Sequence, residues 1–314
     1  MGLWQKLFGW LNPSAPTAAQ APGAADHIAA PGAPAHASVE PEFRVAHEPA
    51  FDPHAELAAP TPAAPDASAL ASSQPDLFEA AAHTAADADV PEVMDSPALR
   101  EVLSVYAGMA WDRQMDFAEI VGERAWSADT SQGMIQFGDD LRFRMQVLGS
   151  YSFQTGSWQW IWANTQAEVP PAFTEVARQL LGFGNTQQLP LFTQPRSAIR
   201  EEDLHTIGLI AAGADESAGY YLGNYGDGIL LALIDPGHGL PAKASKPERV
   251  LTVVPQLISQ FTLDHRTLLR HYLQAKGFAV HETEAQITAQ QGASQVRAEL
   301  DAQGRISVIN GTLK

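Results

Sequence analysis

The chain has no cysteine among its 314 residues. Disulfides, thiolate zinc sites, iron–sulfur ligation and a cysteine nucleophile are therefore excluded, and a reducing compartment fits. Basic residues are scarce as well, with 19 Lys+Arg against 36 Asp+Glu and a net charge of -17. An acidic chain without a basic stripe repels phosphate backbones, so nucleic acid is not an expected partner. No run approaches the roughly 18 to 20 apolar residues that a membrane-spanning helix needs. The start of the chain lacks the apolar core of about 7 to 15 residues and the small-residue cleavage site of a secretory signal, which makes the cytoplasm the expected location. Catalytic signatures are missing too: there is no G-x-S-x-G elbow, no H-E-x-x-H and no phosphate loop. "GFGNTQ" at 182–187 has only the first two glycines of a dinucleotide fingerprint, and it follows a helical pattern. No cofactor and no metal are expected, and the balance is against an enzyme.

What is present is unevenly placed. Residues 1–97 hold 2 Lys+Arg against 13 Asp+Glu and 14 of the 22 prolines. Within them, residues 1–12 have a pattern of their own. At 100° per residue Leu3, Trp4, Leu7, Phe8, Trp10 and Leu11 occupy one arc of roughly 160°, with Gln5, Lys6, Gly9 and Asn12 opposite. This predicts an amphipathic helix ended by Pro13. So short a helix is marginal alone in water and needs a membrane surface, a partner groove or its own domain to cover its apolar face. Residues 13–94, mostly Ala, Pro, Asp, Glu and Ser, read as a disordered acidic linker, because little apolar area is there to offset the ordering entropy. The islands "PEFRVAH" and "DLFEAAAH" are incidental or short docking peptides. Five of the ten histidines lie in this stretch at spacings of 7 to 29 residues, with no scaffold to gather them round a metal.

The body opens at "DSPALREVLSVYAGMAWDRQMDFAEIVG". Ser96 is a good N-cap, Pro97 suits the first helical position, and apolar residues recur from Leu99 to Val121 before Gly122. The period then falls to two. "AWSAD", "GMIQF", "LRFRMQVLGSY" and "SWQWIWAN", parted by turn residues, predict an antiparallel four-stranded meander. Leu141, Phe143, Met145 and Val147 share one face. Trp158, Trp160 and Trp162 also share a face, with Gln159 and Ile161 on the other side. The simplest assembly sets the tryptophans beside Phe143 and Met145 under the long helix, as a structural face or a pocket, with an acceptor near each buried indole N–H.

The segment "LRFRMQVLGSYS", then "GSWQWIWAN", then an Ala- and Gly-rich helix and "SAGYYLGNYGDGILLALID", resembles an uncharacterised bacterial family, a domain of unknown function. The resemblance covers roughly residues 98–236, and its most specific part is LGS followed by the W-x-W-x-WAN strand. It implies a fold boundary, with no activity, substrate or catalytic residue attached.

"PAFTEVARQLLG" and "EEDLHTIGLIAAG" read as helices ending at glycine, with Glu201, Glu202 and Asp203 favouring the dipole of the second. "YLGNYGDGILLALID" reads as a hairpin turning at Asp227-Gly228. Beyond it, Ser245 and Glu248 have capping-box spacing before a helix containing Pro255, and a second helix runs from about Leu263 to Gly277. Strands turning at Gln291-Gly292 and Gln303-Gly304 follow. Domain bounds are thus 1–12, 13–94, 95–240 and 241–314, the last packed on the preceding domain. The expected class is α+β, a long helix on an antiparallel meander behind a disordered tail. The order helix then meander occurs twice, which duplication and convergence both explain.

Among polar candidates, His205 sits in an apolar helix as a hydrogen-bonded core histidine, and His265 and His271 fall on different helix faces. Asp235 and His238 in "DPGHGLP" form a low-ranking polar site without a visible nucleophile. The expectation is a cytoplasmic binding or adaptor protein, tethered through residues 1–12 to a protein partner or the inner face of a membrane. The alternatives are an immunity-type protein neutralising a toxin or basic enzyme, and an enzyme with a pocket near the tryptophan strand. Oligomeric state and process are open.

Overall fold

In the computed structural model, residues 93–237 and 247–313 are described. The expected amphipathic helix at residues 1–12, the linker up to residue 92, the two islands, His238 and Ser245 lie outside them. Helix α1 (Pro97–Val121) starts as its sequence dictates: Ser96 Oγ accepts the Leu99 N–H at 3.0 Å, Pro97 occupies the first turn, and Gly122 ends the helix at φ 57. Strands β1 (Trp126–Asp129), β2 (Met134–Phe137), β3 (Leu141–Ser152) and β4 (Ser157–Trp160) then form the antiparallel meander.

The meander is the core of a larger sheet. After α2 (Glu175–Gln187) and α3 (Pro190–Thr193), strand β5 (Arg196–Ala198) adds to β4. Helix α4 (Leu204–Ala214) leads to β6 (Gly219–Asn224) and β7 (Gly228–Ile234); β7 pairs with the second edge of β3, and β6 pairs with β7. Among the described residues the resulting sheet has seven strands. Helix α4 is buried on every side from Leu204 to Ala212 and lies against α1, β6 and β7. Its approach to β6 depends on Gly208, where a Cβ would stand 2.6 Å from the Tyr220 ring. The outer edge of β6 is closed by α1, whose Gln114 side chain donates to the Tyr220 carbonyl at 3.0 Å and accepts the Tyr220 N–H at 2.8 Å. One carboxamide thus substitutes for a neighbouring strand.

Several boundaries differ from the sequence reading. Helix α2 runs past Gly182 to Gln187, and left-handed Gln188 (φ 55) ends it. Glu201, Glu202 and Asp203 form a 3-10 turn ahead of α4, where the Asp203 carboxylate accepts the Arg200 N–H at 2.8 Å. In the β6–β7 hairpin Gly226 carries the positive φ (104), and Gly228 is already the first strand residue.

Beyond the undescribed residues, α5 (Val250–Gln260) and α6 (His265–Ala275) lie against α1, α5 with Pro255 inside it and α6 capped by Asp264. Strands β8 (Ala279–Glu282), β9 (Gln286–Gln291), β10 (Ser294–Leu300) and β11 (Ile306–Thr312) form a second meander in order β11-β10-β9-β8. Strand β10 alternates strictly between buried and exposed, so one face lies in the core and the other in water. All the described residues fall in one compact unit. The fold is α+β, and the order helix then four-stranded meander is present twice.

A buried ionic cluster ties α1 to the C-terminal elements. The Asp112 carboxylate accepts from Arg249 at 3.0 Å, from the Tyr272 hydroxyl at 2.8 Å and from Lys276 Nζ at 2.5 Å. Arg249 also donates to the Asp112 carbonyl at 2.8 Å and to Asp116 at 2.5 Å. These partners are more than 130 residues apart in sequence, so no local pattern announces them.

Candidate functional site: a cleft behind the tryptophan strand

The geometry of the site begins with one extra residue in β3. Met145, Gln146 and Val147 oppose Ile234, Leu233 and Ala232 of β7, but Gly149 opposes Leu231, so Leu148 is bulged out. A bulge of this kind inverts the alternation of side chains beyond it. Phe143, Met145 and Val147 therefore lie on one face of the sheet, and Gly149 and Tyr151 on the other. Trp160 opposes Gly149 and Trp158 opposes Tyr151. The expected neighbourhood of the tryptophans with Phe143 and Met145 is thus corrected: the two groups sit on opposite faces.

The long helix is likewise over the other group. Phe117 of α1 packs edge-on against Phe137 and Phe143, with ring centroids 5.8 and 6.1 Å away. The tryptophans are covered by α2 and α3. Trp158 and Trp160 are 0% exposed and meet edge to face at 5.3 Å, Phe192 lies 5.5 Å from Trp160, and the Trp160 indole donates to the Leu191 carbonyl at 2.8 Å. Trp162 is beyond the strand, in a 3-10 turn, half-buried and stacked on Trp160 at 6.5 Å. The acceptor expected for each indole is found for Trp160 and Trp111, the latter donating to Gln256 at 2.8 Å. The N–H groups of Trp158 and Trp162 are enclosed with no protein acceptor among the described residues.

Gly149 is required where β3 and β4 come closest. A Cβ there would meet the Gln159 carbonyl oxygen at 2.2 Å and the Trp158 ring at 2.7 Å. On the face away from the tryptophans, Ser150, Gln159 and Leu230 lie side by side across three strands, with Val147 one step along. Residues 161–169 fold over this face and leave a cleft of about 210 Å³. Its apolar wall includes Val147, Ile161, Val169 and Leu230; its polar groups are Thr130, Ser150, Gln159, Asn164 and Glu168. Gln159, Ile161 and Asn164 are the residues that interleave with or follow the tryptophans in "GSWQWIWAN". One half of that segment packs and the other half lines a cavity.

Other ionisable groups have structural partners. His205 Nδ1 is 2.7 Å from the Tyr220 hydroxyl, and burial pushes the imidazole down to about 3 and the phenol upward. Arg113 donates to the Ala212 carbonyl at 2.8 Å, and its burial lowers its pKa. His265 Nδ1 accepts the Ile306 N–H at 3.1 Å. Asp235 is exposed and accepts the Gly237 N–H at 2.8 Å; its sequence-stretch companion His238 is outside the described residues. No group of three or more His, Cys, Asp or Glu suited to a metal is found among the described residues. The outer face of the second sheet forms a larger, shallow concavity of about 750 Å³, in which His281, Thr288, Arg297 and Asn310 make one cross-strand row.

Residues 100–236 match the model of a family of unknown function (DUF6882). The uncharacterised family read from LGS and W-x-W-x-WAN is thereby found, and it takes in both the tryptophan strand and the cleft. The second sheet lies outside the match. No curated protein and no solved structure matches the chain.

Proposed function

We propose that this chain is a non-enzymatic binding or adaptor protein whose folded body takes a small ligand in the cleft behind the tryptophan strand, while residues 1–12 reach a membrane surface or a protein partner. The observation that carries this reading is the lining of the cleft. It combines an apolar wall with hydroxyl and carboxamide groups, and among the described residues Glu168 is its one ionisable side chain. Such a lining orients a ligand through hydrogen bonds. Acid–base or nucleophilic chemistry would call for a second group with a matched pKa beside it. No described helix is long and apolar enough to cross a membrane; in this reading residues 1–12, too short to span one, make a peripheral contact.

Two measurements test the two halves. A fragment screen on the full chain, read by melting temperature, should find stabilising compounds that are recovered unchanged; chemical turnover of a stabilising compound would replace the binding reading by the enzyme one. Deleting residues 1–12 should abolish flotation with anionic liposomes or co-purification with a partner, and unchanged behaviour in both would remove the tether from the proposal.

A further inference from the structure

We propose that the cleft binds a free α-amino acid with a small apolar side chain, its carboxylate held by the carboxamide nitrogens of Gln159 and Asn164 and its ammonium by Glu168. The proposal rests on the reading of the cleft as a ligand site and assigns its chemistry. The orientation of the two carboxamides is set by their neighbours. Gln159 Oε1 accepts from Arg196 Nη2 at 2.9 Å, and Asn164 Oδ1 accepts the Gln166 N–H at 3.2 Å. With both oxygens engaged, each amide offers its NH₂ as the group left to a ligand. The Thr130 hydroxyl adds another donor to the lining. A donor-rich wall backed by the Arg196 guanidinium calls for an anionic, two-oxygen acceptor.

A plain carboxylate would meet repulsion from Glu168, the one charged residue of the lining among the described residues. A ligand that carries an ammonium beside its carboxylate turns that repulsion into attraction. Val147, Ile161 and Leu230 then receive an aliphatic side chain. Size agrees: drug-sized ligands occupy roughly 300 to 1,000 Å³, so a cleft of about 210 Å³ suits a molecule of roughly ten non-hydrogen atoms.

The test uses the full chain and follows the side-chain NH₂ resonances of Gln159 and Asn164 by NMR. The probes are leucine, valine, 4-methylpentanoate, which is leucine without its amine, and 3-methylbutylamine, which is leucine without its carboxylate. Leucine or valine should shift both resonances, and the two truncated probes should bind at least about tenfold more weakly. Gln159→Glu, which exchanges the donor for an acceptor, should abolish amino-acid binding at unchanged melting temperature. Glu168→Gln should bring 4-methylpentanoate up to the affinity of leucine. If 4-methylpentanoate binds the unmodified protein as tightly as leucine, the amino-acid assignment is overturned while the ligand site stands. If neither these probes nor a general fragment library moves the two resonances, the ligand site itself is overturned. Amino-acid binding that survives Gln159→Glu would overturn the placement of the carboxylate.

Discussion

Lys276 Nζ lies 2.5 Å from Asp112 Oδ2, with both side chains buried. The same carboxylate holds Arg249, so two cations of the C-terminal elements share one anion of α1. Burial makes this cluster expensive to break, because without Asp112 the Lys276 ammonium would stay out of water with its anion gone, while Arg249 would keep Asp116.

Asp112→Asn should therefore destabilise the protein by about 3 to 5 kcal/mol, the usual cost of unpairing a buried charge. Glu119, exposed and 3.9 Å from Arg249, offers the control: Glu119→Gln should cost no more than about 1 kcal/mol. Urea denaturation of the two variants measures the contrast, and equal losses would refute the cluster's role as the joint between α1 and the C-terminal helices.

His205 gives a pH dependence with a definite sign. Desolvation by burial pushes its pKa down to about 3 in the fold, against 6.5 for a free imidazole. Between those values the unfolded chain takes up a proton that the native chain does not, so stability falls as pH drops from 6.5 towards 3 and is level above 6.5 with respect to this group. The slope approaches about 1.4 kcal/mol per pH unit inside that window. His205→Gln, which keeps a polar partner for Tyr220, should flatten this component in denaturation curves taken at several pH values.

Gly149→Ala forces a methyl group onto the Gln159 carbonyl oxygen and the Trp158 ring. Backbone cannot yield as a flexible side chain would, so a loss of at least about 1 to 3 kcal/mol is expected. The tryptophan emission maximum should shift to the red in the same variant, since α2 and α3 would no longer seal the rings. A stable, spectrally unchanged variant would contradict the close approach of β3 and β4 at Gly149.

Trp158 and Trp160 are equally buried, yet among the described residues only Trp160 has a protein acceptor for its N–H. Trp160→Phe should accordingly cost about 1 kcal/mol more than Trp158→Phe, the net worth of one hydrogen bond together with the orphaned Leu191 carbonyl. Thermal melts of both variants decide this.

Local features of the fold were legible because local residues cause them. Ser96 and Pro97 start α1, alternation marks the strands, and Gly277, Gly292 and Gly304 hold the positive φ angles their turns need. The separation of Gln159 and Ile161 from the tryptophans was also readable as a period of two. Their neighbours across the sheet were not. The position of Leu148 in a bulge depends on pairing with β7, some 80 residues later, and "LRFRMQVLGSY" read alone gives an unbroken alternation. The ionic cluster was hidden for the same reason, since Asp112, Arg249 and Lys276 meet only after three helices have packed. The cleft needed both the bulge and the fold-back of residues 161–169.

The bulge at Leu148 makes chain length itself a coding variable in this part of the protein. Removing that residue would restore an unbroken alternation and carry Gly149, with every strand residue after it, to the opposite side of the sheet. The indoles would then compete with Val147 for the space of the cleft, and Gln159 would be driven towards Phe192. Substitutions along residues 141–152 trade one side chain for another, but a single insertion or deletion exchanges the interior of the protein with its cavity. That stretch should accordingly tolerate replacement far better than any change in its number of residues.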